Sequence, residues 1–437
     1  MSRFRVGLIA GAAIGVLVVA AVLTVTRVPD DGYIEPAPAE RAPSAEIIEQ
    51  GRILAHVANC RACHTARGGE PFAGGREIPT AFGTFYSPNI TPDAENGIGN
   101  WSERDFWRAL HLGVSRNGAP LYPAFPYPSY TKLTQQDARA IFEYLKTIQP
   151  VPRRSQQHDL RFPYNQRSLL HAWRSLYFSP GKFQLDSTQS PEWNRGSYLV
   201  NVVAHCDYCH VPRNSLGAPR NDADGPAGGE VLGWYAPALD RPNEAGLQHW
   251  TVDSIVELLQ AGRTAGNPPS QAGTTLGPMA EIVFESLQHA PRSDIQAMAT
   301  YLRSLPEGPS QSVPPRNQFS ERARTATLNR GKPLYEDRCA KCHGDSGEGR
   351  PPAALALANN RSVTLNPPVN TIRMVLYGGY PPGTTGNPRP FGMPPFSQDL
   401  SDTQVADVVN FIRNAWGNTG SFVTADDVMR ARTGPLW

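Results

Sequence analysis

Six cysteines occur in this chain of 437 residues, and all six fall into three copies of one pentapeptide. The copies are Cys60-Arg61-Ala62-Cys63-His64, Cys206-Asp207-Tyr208-Cys209-His210 and Cys339-Ala340-Lys341-Cys342-His343. The spacing has a chemical reason. Two thiols three residues apart reach the two vinyl groups of one porphyrin, and the histidine that follows lies beneath the iron as its proximal ligand. The motifs predict three covalently bound haem c groups, with His64, His210 and His343 on the irons. A zinc ribbon would pair one Cys-x-x-Cys with another at short range, whereas these motifs stand more than a hundred residues apart. A thioredoxin-like pair needs a βαβ setting that the flanks do not show. Structural disulfides would not require His after every second Cys.

Self-comparison shows three units of roughly a hundred residues each, an ordinary domain size. A similar helix precedes each motif, at residues 51–54, 195–199 and 330–335. A similar helix also closes each unit, over 135–148, 292–305 and 402–416, with Ala138, Ile141, Phe142 and Leu145 showing the helical period in the first. Thr134 with Asp137, and Ser401, are expected N-caps. A middle helix recurs over 102–112, 252–260 and 370–377, followed by a loop rich in Gly and Pro. The expected fold is mainly α, with three tandem cytochrome c-like haem domains after an N-terminal transmembrane helix. The boundaries are 1–27 for the anchor, 28–44 for a flexible tether, 45–150 for domain 1 and 151–190 for a packed interdomain segment. Domain 2 covers 191–307, domain 3 covers 322–418, and 419–437 form a C-terminal tail.

The anchor rests on residues 6–25, an almost unbroken apolar run preceded by Arg3 and Arg5 and followed by Arg27, Asp30 and Asp31. Twenty such residues span a bilayer core as a helix, longer than the apolar stretch of a cleaved signal peptide. The arginines stay inside, which sends the rest outward and predicts a bacterial inner-membrane protein with its haem domains in the periplasm. With 41 Lys+Arg against 39 Asp+Glu, the charge balance gives no case for nucleic acid. The segment between the first two units carries Phe162, Trp173, Leu176, Tyr177 and Phe178, enough to pack as a short helix. His158 and His171 within it read as ordinary residues.

The loop after each middle helix is where a sixth iron ligand belongs. A thioether there raises the reduction potential and leaves a six-coordinate, electron-transferring site. Met393 serves the third haem and Met279 the second, while Met298 and Met374, on helices, read as packing residues. The first unit has Phe125 at the equivalent place, and Phe cannot bind iron. Its haem is either five-coordinate or held by another residue. His111, just before the loop, and His56, before the motif, are the candidates. Loss of the thioether lowers this haem's potential relative to the other two.

These residues resemble the triheme cytochrome c subunit of membrane-bound bacterial dehydrogenases that act on alcohols, aldehydes, gluconate and related sugars. The resemblance covers nearly all of the chain beyond the anchor. Its most specific passages are residues 121–130, Trp193-Asn194-Arg195-Gly196-Ser197-Tyr198-Leu199-Val200, Cys209-His210-Val211-Pro212-Arg213-Asn214 with Gly217-Ala218, Gly277-Pro278-Met279-Ala280-Glu281, and Gly392-Met393-Pro394-Pro395-Phe396. Val211 stands where Thr is usual, and Phe125 where many members carry the methionine of the first haem. The resemblance implies a partner, a catalytic dehydrogenase subunit holding a flavin, pyrroloquinoline quinone or molybdenum cofactor. It also implies an acceptor, ubiquinone or an oxidase at the membrane.

Two functions follow from different classes. One is an electron-transfer subunit with no catalytic residues of its own; Gly97-Ile98-Gly99 lacks the third glycine of a dinucleotide fingerprint. The other is a haem enzyme, peroxidase-like or binding a small ligand at an open first haem, with Tyr122, Tyr127 or Arg116 as proton or charge partners. Each proximal histidine is expected to offer Nε2 to iron and donate its other nitrogen to a backbone carbonyl.

Overall fold

The computed structural model describes residues 30–36, 43–220, 227–265, 272–308, 319–350 and 354–433. The expected anchor over 1–27 lies outside the described residues, and among those described no helix is long and apolar enough to cross a membrane.

Helix is the dominant element, at 44%. In the first unit α1 (Ala45–Val57) leads to the first motif, α2 (Glu103–Leu112) lies in the middle and α3 (Gln135–Thr147) closes. Ser102 and Asp105 form a reciprocal capping box at the start of α2, and Thr134 Oγ1 accepts from the Asp137 amide at the start of α3. The hairpin β1 (Glu77–Thr80) and β2 (Gly83–Tyr86) follows the motif. Residues 30–36, expected within a flexible tether, instead lie against this unit, because the indole of Trp107 donates to the Asp31 carbonyl at 2.7 Å and Arg104 grips the Asp31 carboxylate.

Past the first unit, β3 (Asp159–Leu160) adds to the free side of β2, and α4 (Leu169–Tyr177) touches the units through Leu170, Trp173 and Arg174, whereas Phe162, Leu176 and Tyr177, expected to pack, are exposed. Arg174 on α4 donates to the Leu112 carbonyl at 2.5 Å, and Trp173 to that of Leu216 at 2.9 Å.

In the second unit, α5 (Pro191–Tyr198) continues as a π-helical turn, Leu199–Val203, up to the motif. Strands β4 (Gly229–Val231) and β5 (Trp234–Ala236) follow, then α6 (Val252–Ala261), α7 (Gly277–Glu285) and α8 (Arg292–Arg303). The third unit has α9 (Glu321–Arg338), α10 (Val369–Tyr377), α11 (Asp402–Asn414) and α12 (Ala425–Thr433), and because Val423, Val428 and Ala431 are buried in its core, residues 419–433 belong to this unit rather than to the tail expected there. The closing helices stop one or two residues before the expected ends; Ile148 is already extended and Trp416 takes a left-handed φ of 56°.

One device recurs in all three units. The helix before the motif crosses the closing helix at a glycine, so close that a Cβ on Gly51, Gly196 or Gly331 would come within 1.8, 1.9 or 2.1 Å of the carbonyl of Ala140, Ala297 or Asp407. The residue before each glycine then reaches a carboxylate on the closing helix. Gln50 donates to Asp137 at 2.7 Å, Arg195 grips Asp294 at 2.8 and 3.0 Å, and Arg330 grips Asp407 at 2.8 Å.

The units do not share apolar surface equally. Leu54, Ile141 and Leu145 of the first and Leu199, Val203, Ile255 and Met298 of the second belong to one continuous core. At its rim the Asp137 carboxylate accepts from the Tyr198 hydroxyl at 2.5 Å, so the residue whose amide is capped by Thr134 also joins two units through its side chain. The third unit has its own core around Tyr335, Ile372, Leu376, Val409 and Ile412. It docks on the second through polar contacts. Asn370 accepts from the Tyr235 amide at 2.9 Å and donates to the Tyr235 carbonyl at 2.8 Å, while the Arg373 guanidinium stacks 5.3 Å from the Trp234 ring.

Candidate haem sites

Each motif forms a short turn after its leading helix, and each motif histidine turns its ring the same way. Nδ1 of His64 meets the Pro88 carbonyl at 2.8 Å, that of His210 the Pro237 carbonyl at 2.6 Å, and that of His343 the Leu355 carbonyl at 2.9 Å. A carbonyl only accepts, so each Nδ1 carries the proton and Nε2 keeps its lone pair for a metal. Burial lowers the pKa of all three rings, opposed by those same carbonyls, so the rings stay neutral and ligand-competent. No disulfide joins the six cysteines. Burial pushes the thiols of Cys60 and Cys206 up to about 12 and those of Cys63, Cys209 and Cys339 to about 11, which suppresses stray thiolate chemistry. Two unpaired thiols and one neutral imidazole at fixed spacing fit a covalently attached haem.

Met279 stands in the first turn of α7, half-buried against the shared core. The loop behind it is tight, since Gly277 has φ +50° and a Cβ there would come within 2.4 Å of the Trp234 ring. Met393 is half-buried against the third core, and its backbone pairs in both directions with Gly379 at 2.8 and 3.0 Å. Met298 is buried within α8, and Met374 lies on α10.

The first unit is built differently at this place. The Phe125 ring packs on Tyr130 at 5.5 Å, and the Tyr130 hydroxyl donates to the Ala58 carbonyl just before the first motif. His111 stacks on Trp107, with centroids 4.4 Å apart and planes 12° apart. His56 lies 4.6 Å from His289, and its Nδ1 meets the Glu285 carbonyl at 3.2 Å. Both rings are therefore held by partners outside the motif. Of the residues considered for an open site, Tyr122 and Arg116 are engaged as well. The Tyr122 hydroxyl donates to the Tyr164 carbonyl at 3.0 Å, Arg116 faces Asp105 at 3.8 Å, and Tyr127 is buried beneath Gly113.

Burial lowers the pKa of His111, opposed by a hydrogen bond with the Thr131 backbone. The unfolded chain takes up a proton as pH falls below the ordinary value of 6.5, the folded ring resists, and stability present above that value is lost on acidification. A His111→Phe variant keeps the stacking and should show a shallower fall in Tm between about pH 7 and pH 5.

The ligand loops of the first two units reach across to each other's motif. Tyr130 packs edge-on against His205 at 5.4 Å, and Ser129 approaches Asp207 at 3.4 Å. In return α7 lies over the Cys60–Cys63 turn, with Arg76 donating to Glu281 at 2.8 Å and Arg61 paired with Glu285. Sequence reasoning missed these arginines, although Arg61 sits inside a motif. It also did not locate the three acceptor carbonyls, which stand 24, 27 and 12 residues past their histidines. Proline at two of the three was the available signal.

Helix pairs crossing at glycine, each leading into a Cys-x-x-Cys-His turn with a carbonyl-bound imidazole, define a c-type cytochrome. The cytochrome c family model matches residues 48–149 and 328–416. The chain is 36% identical over 405 residues to the cytochrome c subunit of the quinone-dependent alcohol dehydrogenase of Gluconobacter oxydans, covering 89% of this chain and 82% of that protein. It is 37% identical over 400 residues to the gluconate 2-dehydrogenase cytochrome c subunit of Pantoea cypripedii, covering 88% and 89%. A nicotinate dehydrogenase subunit of Pseudomonas putida is 38% identical over 408 residues, 92% of this chain, but the chain spans only 33% of that protein's length. The chain belongs to the family of cytochrome c subunits of bacterial dehydrogenases. It is an electron-transfer subunit, not the catalytic one.

Proposed function

We propose that this chain is a membrane-anchored periplasmic cytochrome carrying three haem c groups. It takes electrons from a catalytic subunit that oxidises an alcohol, aldehyde or sugar acid, and passes them to ubiquinone or another terminal acceptor. The observation that carries the reading is the threefold recurrence of a neutral imidazole tied at Nδ1 to a carbonyl beside two unpaired thiols. When bound, haem iron supplies a one-electron couple. The chain holds the imidazoles in one tautomer and brings the first two motifs together under a common core.

For the membrane, the support is the apolar run over 6–25, together with an exposed apolar surface. Six of the twelve large hydrophobics exposed among the described residues lie within the interdomain segment, among them Phe162, Leu176 and Leu185, which makes this segment the candidate contact with a membrane or a protein. The first haem keeps the lowest potential, because Phe125 supplies no thioether.

A reductive titration of the purified full chain, with and without carbon monoxide, tests the reading. Haem released as pyridine haemochrome should reach three per chain, and two haems should titrate at higher potential than the third. A Met393→Leu variant should lower one of the two higher potentials and add one haem equivalent of carbon monoxide binding. Fewer than three haems per chain, or no change in Met393→Leu, would sink this assignment.

A further inference from the structure

Resting on the reading that Met279 is the sixth ligand of the second haem, we propose that Arg76 and Arg61 of the first unit are positioning residues for that ligand. At 3.6 residues per turn, Glu281 and Glu285 fall within roughly 40° of each other around α7, and Met279 stands roughly 160° away from Glu281. One face of this helix thus offers the sulfur, and the opposite face is gripped from another unit.

The grip is specific. Arg76 meets both oxygens of Glu281, the Nη2 contact at 2.8 Å, while its Nη1 also reaches the Ala62 carbonyl inside the first motif at 3.3 Å. Such a two-point pairing fixes direction as well as distance. Arg76 and Glu281 are each only 21% exposed, so water screens the pair weakly. One turn further along α7, Arg61 pairs with Glu285, the Ser286 hydroxyl donates to the Val57 carbonyl at 3.3 Å, and His56 holds the Glu285 carbonyl. At the other end of α7 the Trp234 ring covers Gly277. The helix therefore has one anchor in its own unit and one in the first unit, at and beside the turn that attaches the first haem. Releasing the second anchor lets α7 swing about Gly277 and carries Met279 away from the iron, while the shared core stays closed. The sixth ligation of the second haem thereby depends on the attachment turn of the first.

The test uses the full chain as an Arg61→Gln/Arg76→Gln double variant and as Glu281→Gln, a near-isosteric change that keeps both arginines. The ferric methionine–iron charge-transfer band should fall to about half of its wild-type intensity per haem, since one of two thioether ligands is displaced. The reduced protein should bind one more haem equivalent of carbon monoxide, with pyridine haemochrome unchanged. An Arg76→Glu/Glu281→Arg exchange should restore both signals, which a merely structural role would not require. An unchanged band with unchanged carbon monoxide uptake in Glu281→Gln overturns the proposal, even if the double variant loses haem. A Met279→Leu control separates the two levels. If it leaves the band whole, the ligand assignment itself fails and the positioning role falls with it.

Discussion

Replacing Cys206 and Cys209 with alanine should cut the haem released per chain by one third and drop dehydrogenase-coupled acceptor reduction to background, with the other two haems still reduced by a chemical reductant. The middle unit is where interruption is most damaging. It touches the first through the shared core and the Asp137–Tyr198 bond, and the third through Asn370 and Arg373. Without thioethers the haem would depend on axial ligation alone, by His210, whose ring is aligned on the Pro237 carbonyl, and by the proposed Met279, with no covalent bond to prevent loss of the group. Pyridine haemochrome counts the haems, and stopped-flow reduction by the partner dehydrogenase reads the interruption. Full acceptor reduction with only two haems present would show that electrons bypass the second unit.

Gly196→Val should unfold the first two units together. A Cβ at this position would stand 1.9 Å from the Ala297 carbonyl, a backbone atom that cannot turn aside. Overpacking of this severity should cost roughly 3 kcal/mol or more, above the usual range for a core that can relax. Because Leu199, Val200 and Val203 just beyond the crossing belong to the core that also holds Leu54 and Ile141, separation of α5 from α8 also loosens α1 and α3. Denaturant unfolding followed by haem absorption should show the change. Gly386→Ala, where a Cβ meets nothing within 4 Å, serves as the comparison and should stay within about 0.5 kcal/mol of the parent.

The parts of the fold that were legible in the sequence are those that repeat. Three histidines at fixed offsets from paired cysteines, three apolar stripes at helical period and Gly51, Gly196 and Gly331 at like places carried the plan, because each is a local requirement met by neighbours in the chain. Ser401 shows how far that goes, since it was expected as a cap and does accept from the Gln404 amide, although the residue three on is a glutamine and not an acid. Asp137 shows where it stops. The same local spacing suggested a cap, which Thr134 makes through the Asp137 amide, but the Asp137 carboxylate is drawn to Gln50 and Tyr198, groups 87 and 61 residues away. The crossed ligand loops were illegible for the same reason. Glu281 reads as a surface acid until Arg76 is seen beside it, and no periodicity relates positions 205 residues apart.

The division into one double core and one single core also sets how the molecule fails. An apolar junction transmits loss of packing, whereas the Asn370 and Arg373 contacts transmit little. Injury to either of the first two units should therefore be shared by both, while the third should melt by itself and leave the first two closed on each other.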